Sequence, residues 1–188
     1  MSDIVIRPEL TPNPNAIKFS VNRDVISSGS VNFASVAEAK DSGLATDLFT
    51  IDGVENVMLG RHFVSVTKTL AADWNNLAEP LVAKLKAFFE TGAPAMDPDA
   101  LVSRQEAATA NATEAEKRIR EILDEEIRPA IAMDGGDVVF HSYTDGVLTL
   151  HLQGACSACP SSTWTLKMGI ENRLREEIPD LREVVQLM

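Results

Sequence analysis

Cys156 and Cys159 are the only cysteines of the chain, and they stand three positions apart in Gly154-Ala155-Cys156-Ser157-Ala158-Cys159-Pro160. Two thiolates at this spacing can grip one metal ion or one edge of an iron–sulfur cluster, or they can close a redox disulfide. They cannot complete a four-thiolate shell, so either other side chains finish the site or a second copy of the chain does. The pair falls between a strand-like run, Val147 to Leu152, and a helix-like run, Ser161 to Arg175. Pro160 is at home in a first helical turn. The free N–H groups and positive dipole end of that turn favour a thiolate and lower its pKa below the ordinary value of about 8.5.

Four chemistries fit these residues. The plainest is two small buried side chains with no chemistry at all. A thioredoxin-like disulfide also places C-x-x-C between a strand and a helix, but its context is a βαβ unit of parallel strands, whereas the strand here belongs to a hairpin. A zinc site within one chain needs two further ligands, and His141 and His151, the only histidines of this half, read as half-exposed strand residues. In the fourth, two chains each donate Cys156 and Cys159 to a four-cysteine shell around an iron–sulfur cluster. A zinc-bridged dimer is the purely structural variant of that arrangement.

The elements around the pair predict an α+β fold: two small domains, each a small sheet packed with helices, joined by a flexible linker. Residues 1–92 form the first domain, 93–112 the Ala- and Pro-rich linker with a short helical turn near Ala100 to Ala108, and 113–188 the second domain. In the first, Thr11-Pro12-Asn13-Pro14-Asn15 is a stiff lead into a strand at Ile17 to Val21. Helical stretches are expected near Phe33 to Ala39 and Leu44 to Phe49. Val54 to Leu59 and Phe63 to Thr67 make a hairpin bent at Gly60-Arg61. Asp73 caps a long helix carrying Trp74, Leu77, Leu81, Leu85 and Phe88, with Pro80 marking a kink or restart and Gly92 the end. In the second, Thr113 and Glu116 form a capping box ahead of Ile119, Ile122, Leu123 and Ile127, and Pro129 breaks or restarts that helix. Strands at Asp137 to Ser142 and Val147 to Leu152 join through Asp145-Gly146, with Leu148, Leu150 and Leu152 facing inward. Leu166, Ile170 and Leu174 stripe the last helix, and Glu183 to Leu187 returns as a strand.

Charge and composition narrow the function classes. The 188 residues carry a net charge of −11. Residues 1–110 hold −5 of this and 111–188 hold −6, so neither half is a basic arm for nucleic acid. No apolar run approaches the roughly 20 residues of a membrane span, and Met1 to Arg7 does not read as a secretory signal. A single close pair of cysteines fits a reducing compartment. His62, on the first hairpin, and the acidic run Glu121, Asp124, Glu125 and Glu126 read as ordinary surface. With no phosphate loop, nucleophile–base pair or paired carboxylates, the chain does not read as an enzyme.

Met133-Asp134-Gly135-Gly136-Asp137-Val138, the Leu152 to Pro160 segment and Thr165-Leu166-Lys167-Met168-Gly169-Ile170-Glu171 resemble the NifU C-terminal-type domain of iron–sulfur cluster scaffold and carrier proteins. The TPNPN opening, Ile17-Lys18-Phe19, Ile51-Asp52-Gly53-Val54, Phe63-Val64-Ser65-Val66-Thr67 and Asp73-Trp74 resemble the Nfu N-terminal domain. Trp164 and Met168 depart from the usual pattern without touching the cysteines. The resemblance implies that Cys156 and Cys159 bind a [4Fe–4S] cluster, one per homodimer, received from upstream assembly proteins and handed to apo iron–sulfur client proteins. It implies a client-docking role for the first domain and a bacterial cytoplasm, or a mitochondrial matrix after presequence removal, as the setting. The main alternative is a thiol–disulfide oxidoreductase using the same C-x-x-C. Gly135-Gly136 reads chiefly as a tight turn into a strand, with shaping of the cluster surface as a lesser option.

Overall fold

The computed structural model describes residues 3–109, 112–156 and 160–187, without the side chains of residues 105, 107–109 and 160–166. In the first domain β1 (Ile6–Leu10), β2 (Ala16–Val21), β3 (Val31–Phe33), β4 (Val54–Leu59) and β5 (Phe63–Lys68) form an antiparallel sheet in the order β1-β2-β5-β4-β3. Alternate residues of a strand face opposite sides, so Phe19, Val57, Leu59, Val64 and Val66 enter one core. There they meet Leu44 and Leu48 of α1 (Gly43–Phe49) and Leu77, Leu81 and Leu85 of α2 (Trp74–Thr91). Both helices begin on side-chain caps: Ser42 Oγ accepts from the Ala45 N–H, and Asp73 accepts from the Asn75 N–H. Pro80 lies on the exposed side of α2 and neither ends nor restarts it, because the Leu77-Leu81-Leu85 stripe holds both halves on the sheet.

Three elements of this domain differ from the sequence reading. Phe33 to Ala39 is not helical: Val31 and Phe33 alternate into the core as β3, paired with Leu59 and Val57, and only a 3-10 turn follows at Ala39–Asp41. β1 has no counterpart in that reading; it is an exposed edge strand containing Pro8, where a missing N–H is tolerated. The stretch expected as a flexible linker is packed at its start. Ala95, Met96 and Leu101 are buried in the first core, the Ser42 hydroxyl donates to the Ala95 carbonyl at 2.6 Å, and α3 (Pro98–Thr109) is a full helix.

The second domain opens with α4 (Glu114–Ile122) on a complete capping box, Thr113 Oγ1 accepting from the Glu116 N–H and the Glu116 carboxylate accepting from the Thr113 N–H. A π-helical turn, Leu123–Ile127, then carries the chain into α5 (Arg128–Met133), whose first turn holds Pro129 where no N–H is needed. β6 (Gly136–Thr144) and β7 (Val147–Gly154) pair antiparallel around Asp145-Gly146, with φ of 51° and 79°, the two positive values of a type I′ turn. α6 (Pro160–Glu177) crosses over to β8 (Glu183–Leu187), which pairs parallel with β7. Leu148, Leu150 and Leu152 face inward as expected, onto Ile119, Ile122, Ile170 and Leu174; the Leu166 side chain lies outside the described residues. Buried Glu171 ties α6 to β8, accepting from the Val184 N–H at 3.0 Å, and pairs with Arg175 one turn along the same helix at 2.7 Å.

Leu85 is fully buried, so Leu85→Ala is expected to cost about 2–5 kcal/mol in denaturant unfolding, while Lys86→Ala, exposed on the next position of the helix, leaves stability unchanged. A Cβ at Gly146 would meet the Asp180 carbonyl at 2.5 Å with φ at 79°, so Gly146→Ala is expected to destabilise by at least about 1 kcal/mol, read as a lowered Tm.

Candidate functional site

β7 is the middle strand of its sheet, and it delivers the cysteine loop. At Gly154 the backbone turns with φ of 63°, and the Ala155 N–H donates to the Gly135 carbonyl at 3.1 Å. The turn after β7 is thereby pinned to the segment that leads into β6. Cys156 follows at 7% exposure, packed against the second core, and α6 begins at Pro160. The eighteen-residue α6 begins one position beyond Cys159 in sequence, and a helix N-terminus stabilises negative charge near it. Cys159 lies outside the described residues, so the structure places one of the two expected ligands.

The glycine beside the loop has a packing role that its turn propensity hides. A Cβ on Gly136 would run into Cys156 Sγ, and would lie 2.9 Å from Cys156 Cβ. The bare backbone of Gly136 therefore makes the room in which the Cys156 sulfur sits, and Gly135 beside it makes the expected turn with φ of 74°. The sequence marks the next residue, Asp137, only as the start of a strand. It is buried, accepts a hydrogen bond from Ser30 Oγ of the first domain, and pairs with Arg128 Nε at 3.3 Å. Burial is the larger influence on its carboxyl and pushes its pKa up, with Arg128 and then Ser30 opposing. Asn13, a turn former by its sequence, also reaches the site: its Nδ2 donates to the Ala155 carbonyl at 3.0 Å. An acid directly after a glycine pair is visible in the sequence; Asn13, 142 positions from its partner, leaves no local signal.

The histidines lie on β6, β7 and the first hairpin. His141 falls at the irregularity of β6 between Phe140 and Ser142 and is exposed, whereas His151 stands opposite Val139. His62, on the first hairpin, faces Asp24 at 3.1 Å with both side chains in solvent. Among the described residues no group of three or more His, Cys, Asp or Glu is placed to hold a metal ion. The thioredoxin-like context lies closer than the hairpin suggests. β7 belongs to a hairpin with β6, but β7-α6-β8 is also a parallel βαβ crossover, because a middle strand has two neighbours.

Residues 119–185 match the family model described as NifU-like domain, and residues 6–92 match that described as scaffold protein Nfu/NifU N terminal. Over 184 residues the chain is 40% identical to the human NFU1 iron-sulfur cluster scaffold homolog, mitochondrial, covering 97% of this chain and 72% of that protein. It is 39% identical over 183 residues to the Drosophila willistoni protein of the same description, covering 97% of this chain and 63% of that one. With NifU-like protein 4, mitochondrial, of Arabidopsis thaliana it shares 37% identity over 184 residues, covering 96% of this chain and 65% of that one. The chain thus spans about two thirds of the length of these relatives. With a family model matching each half and this identity sustained along nearly all of it, the chain belongs to the family of Nfu-type, NifU-like proteins.

Proposed function

We propose that the chain is an iron–sulfur cluster scaffold or carrier, holding a [4Fe–4S] cluster between two copies through Cys156 and Cys159 of each and passing it to apo-proteins. One observation carries this reading: the only cysteines of the chain stand together at the strand-to-helix turn of its NifU-like domain. The cluster is cargo, and no side chain is read as catalytic. A cubane with four thiolates carries roughly two net negative charges, and the N-terminal ends of two α6 helices directed at it offset part of that. The bare backbone of Gly136 keeps room beside the Cys156 sulfur.

A cluster shared between chains is easier to give up than one caged by a single chain. When the subunits part, each retains half the ligands, and a client thiolate replaces one protein thiolate at a time. The displaced sulfur takes up a proton from solvent, and the iron–sulfur core moves without change of oxidation state. The division of labour places cluster binding in residues 113–188 and recognition of donors and clients in residues 1–92. The names of the relatives support a mitochondrial setting over a bacterial cytoplasm.

Thiol–disulfide exchange at the same pair is the alternative reading, and the names of the relatives do not support it. Anaerobic reconstitution with iron and sulfide separates the two. Four irons and four sulfides per two chains, lost in Cys156→Ala, is the expected result. A colourless protein that instead cycles between dithiol and disulfide would give the function to the alternative reading.

A further inference from the structure

Helices cover one side of the first domain's sheet, and the other side is polar. Lys18 of β2, Ser65 and Thr67 of β5, Asn56 and Met58 of β4 and Asn32 of β3 all point away from the helix-covered core. Such a side normally faces water. Here it does not: Met58 is 0% exposed, Ser65 1% and Thr67 7%. What covers it is the cysteine end of the second domain. Gly135 and Gly154 press their backbones onto the sheet, so that a Cβ at Gly135 would lie 3.2 Å from Ser65 Oγ and one at Gly154 2.8 Å from Met58 Sδ. Hydrogen bonds cross the seam, among them Asn13 to the Ala155 carbonyl at 3.0 Å, Lys18 Nζ to the Met133 carbonyl at 3.3 Å, and Ser30 to Asp137.

We infer that this sheet face is a docking surface for the chain's own cysteine loop, and that the docked form is a closed, cluster-free state that opens before two chains share a cluster. The second clause rests on the cluster reading; the first does not. Docking holds the residue beside the sulfur, through the first domain's Asn13 and the Ala155 carbonyl, while Cys156 itself is buried against its own domain's core. A sulfur facing a second chain across a shared cluster needs that side of the loop clear of the first domain. The two arrangements therefore exclude each other.

The seam is built to part. Ser65 Oγ, Thr67 Oγ1, Asn32 Oδ1 and Asn56 Oδ1 are buried with no protein partner, and so is Arg120 Nη1 on the other side. The closed seam gives these atoms no protein hydrogen bond in exchange for bulk water, which lowers the cost of opening it. Two cavities of about 710 and 510 Å³ lie along the seam, lined by both domains. A loosely packed seam of this kind, part polar and part apolar, resembles a transient interface more than a core.

The test uses the full-length, iron-free chain, so it reads docking whether or not a cluster ever binds. Ser65→Arg places a long charged side chain where Gly135 sits; Asn13→Ala is a milder variant that removes one seam bond, and the local Asn15 N–H bond with it, at a position outside both apolar cores. The wild-type chain is expected to show a radius of gyration near the ~16 Å of a compact 188-residue body, and slow alkylation of Cys156 by iodoacetamide. Ser65→Arg is expected to expand the chain and speed that alkylation at least about tenfold, and Asn13→Ala to speed it about fivefold. Equal alkylation rates in wild type and Asn13→Ala, or a wild-type radius already that of separated domains, would overturn the inference. Iron and sulfide content, measured separately, reports on the cluster reading alone.

Discussion

The cysteine end of the second domain depends on one close passage, that of Cys156 over the bare backbone of Gly136. A side chain on Gly136 would displace the sulfur, one residue from the turn that the Ala155–Gly135 hydrogen bond closes. β6 and β7 are in register at that same point, Gly136 opposite Gly154. Glycines at 135, 136 and 154 thus let two strand ends, a loop and a helix start converge within a short distance. A buried sulfur at such a point is held by packing, so the fold presents it without needing cargo to complete the core.

The rest of the second domain holds that passage in place. The type I′ turn at Asp145-Gly146 sets the β6–β7 register at the far end, and the register carries Gly136 to Cys156 at the near end. Glu171 fixes α6 against β8, which in turn fixes where the helix begins relative to the loop. The same corner meets the first domain through carbonyls and glycine backbone instead of apolar side chains. That is why the contact between the domains is close yet partly polar.

What can be read from the sequence is local. The Thr113–Glu116 box, the Asp73 cap, the Asp145-Gly146 hairpin and the alternation of Leu148, Leu150 and Leu152 each depend on neighbours a few residues away, and each stands in the structure. Pairings over longer distances are not legible. Val31 and Phe33 become a strand only because Leu59 and Val57 lie opposite, and β1 exists only as the partner of β2. The parallel partner of β7 is hidden for the same reason, and its presence brings the local topology closer to that of a redox C-x-x-C. At the site, the cysteine spacing announces itself, whereas Asn13 and Ser30 reach it across the fold from residues that look like ordinary turn and surface positions.

The central claim is that one cluster belongs to two chains. Native mass spectrometry of cluster-loaded protein, reconstituted from an equal mixture of unlabelled and isotope-labelled chains, tests it most directly. The account predicts dimers of three masses in a ratio of about 1:2:1, as random pairing of identical subunits requires, every one carrying a single Fe4S4 unit and no cluster on monomers. A cluster retained on single chains, or dimers that keep their mass distribution when the cluster is removed by chelation, would contradict it.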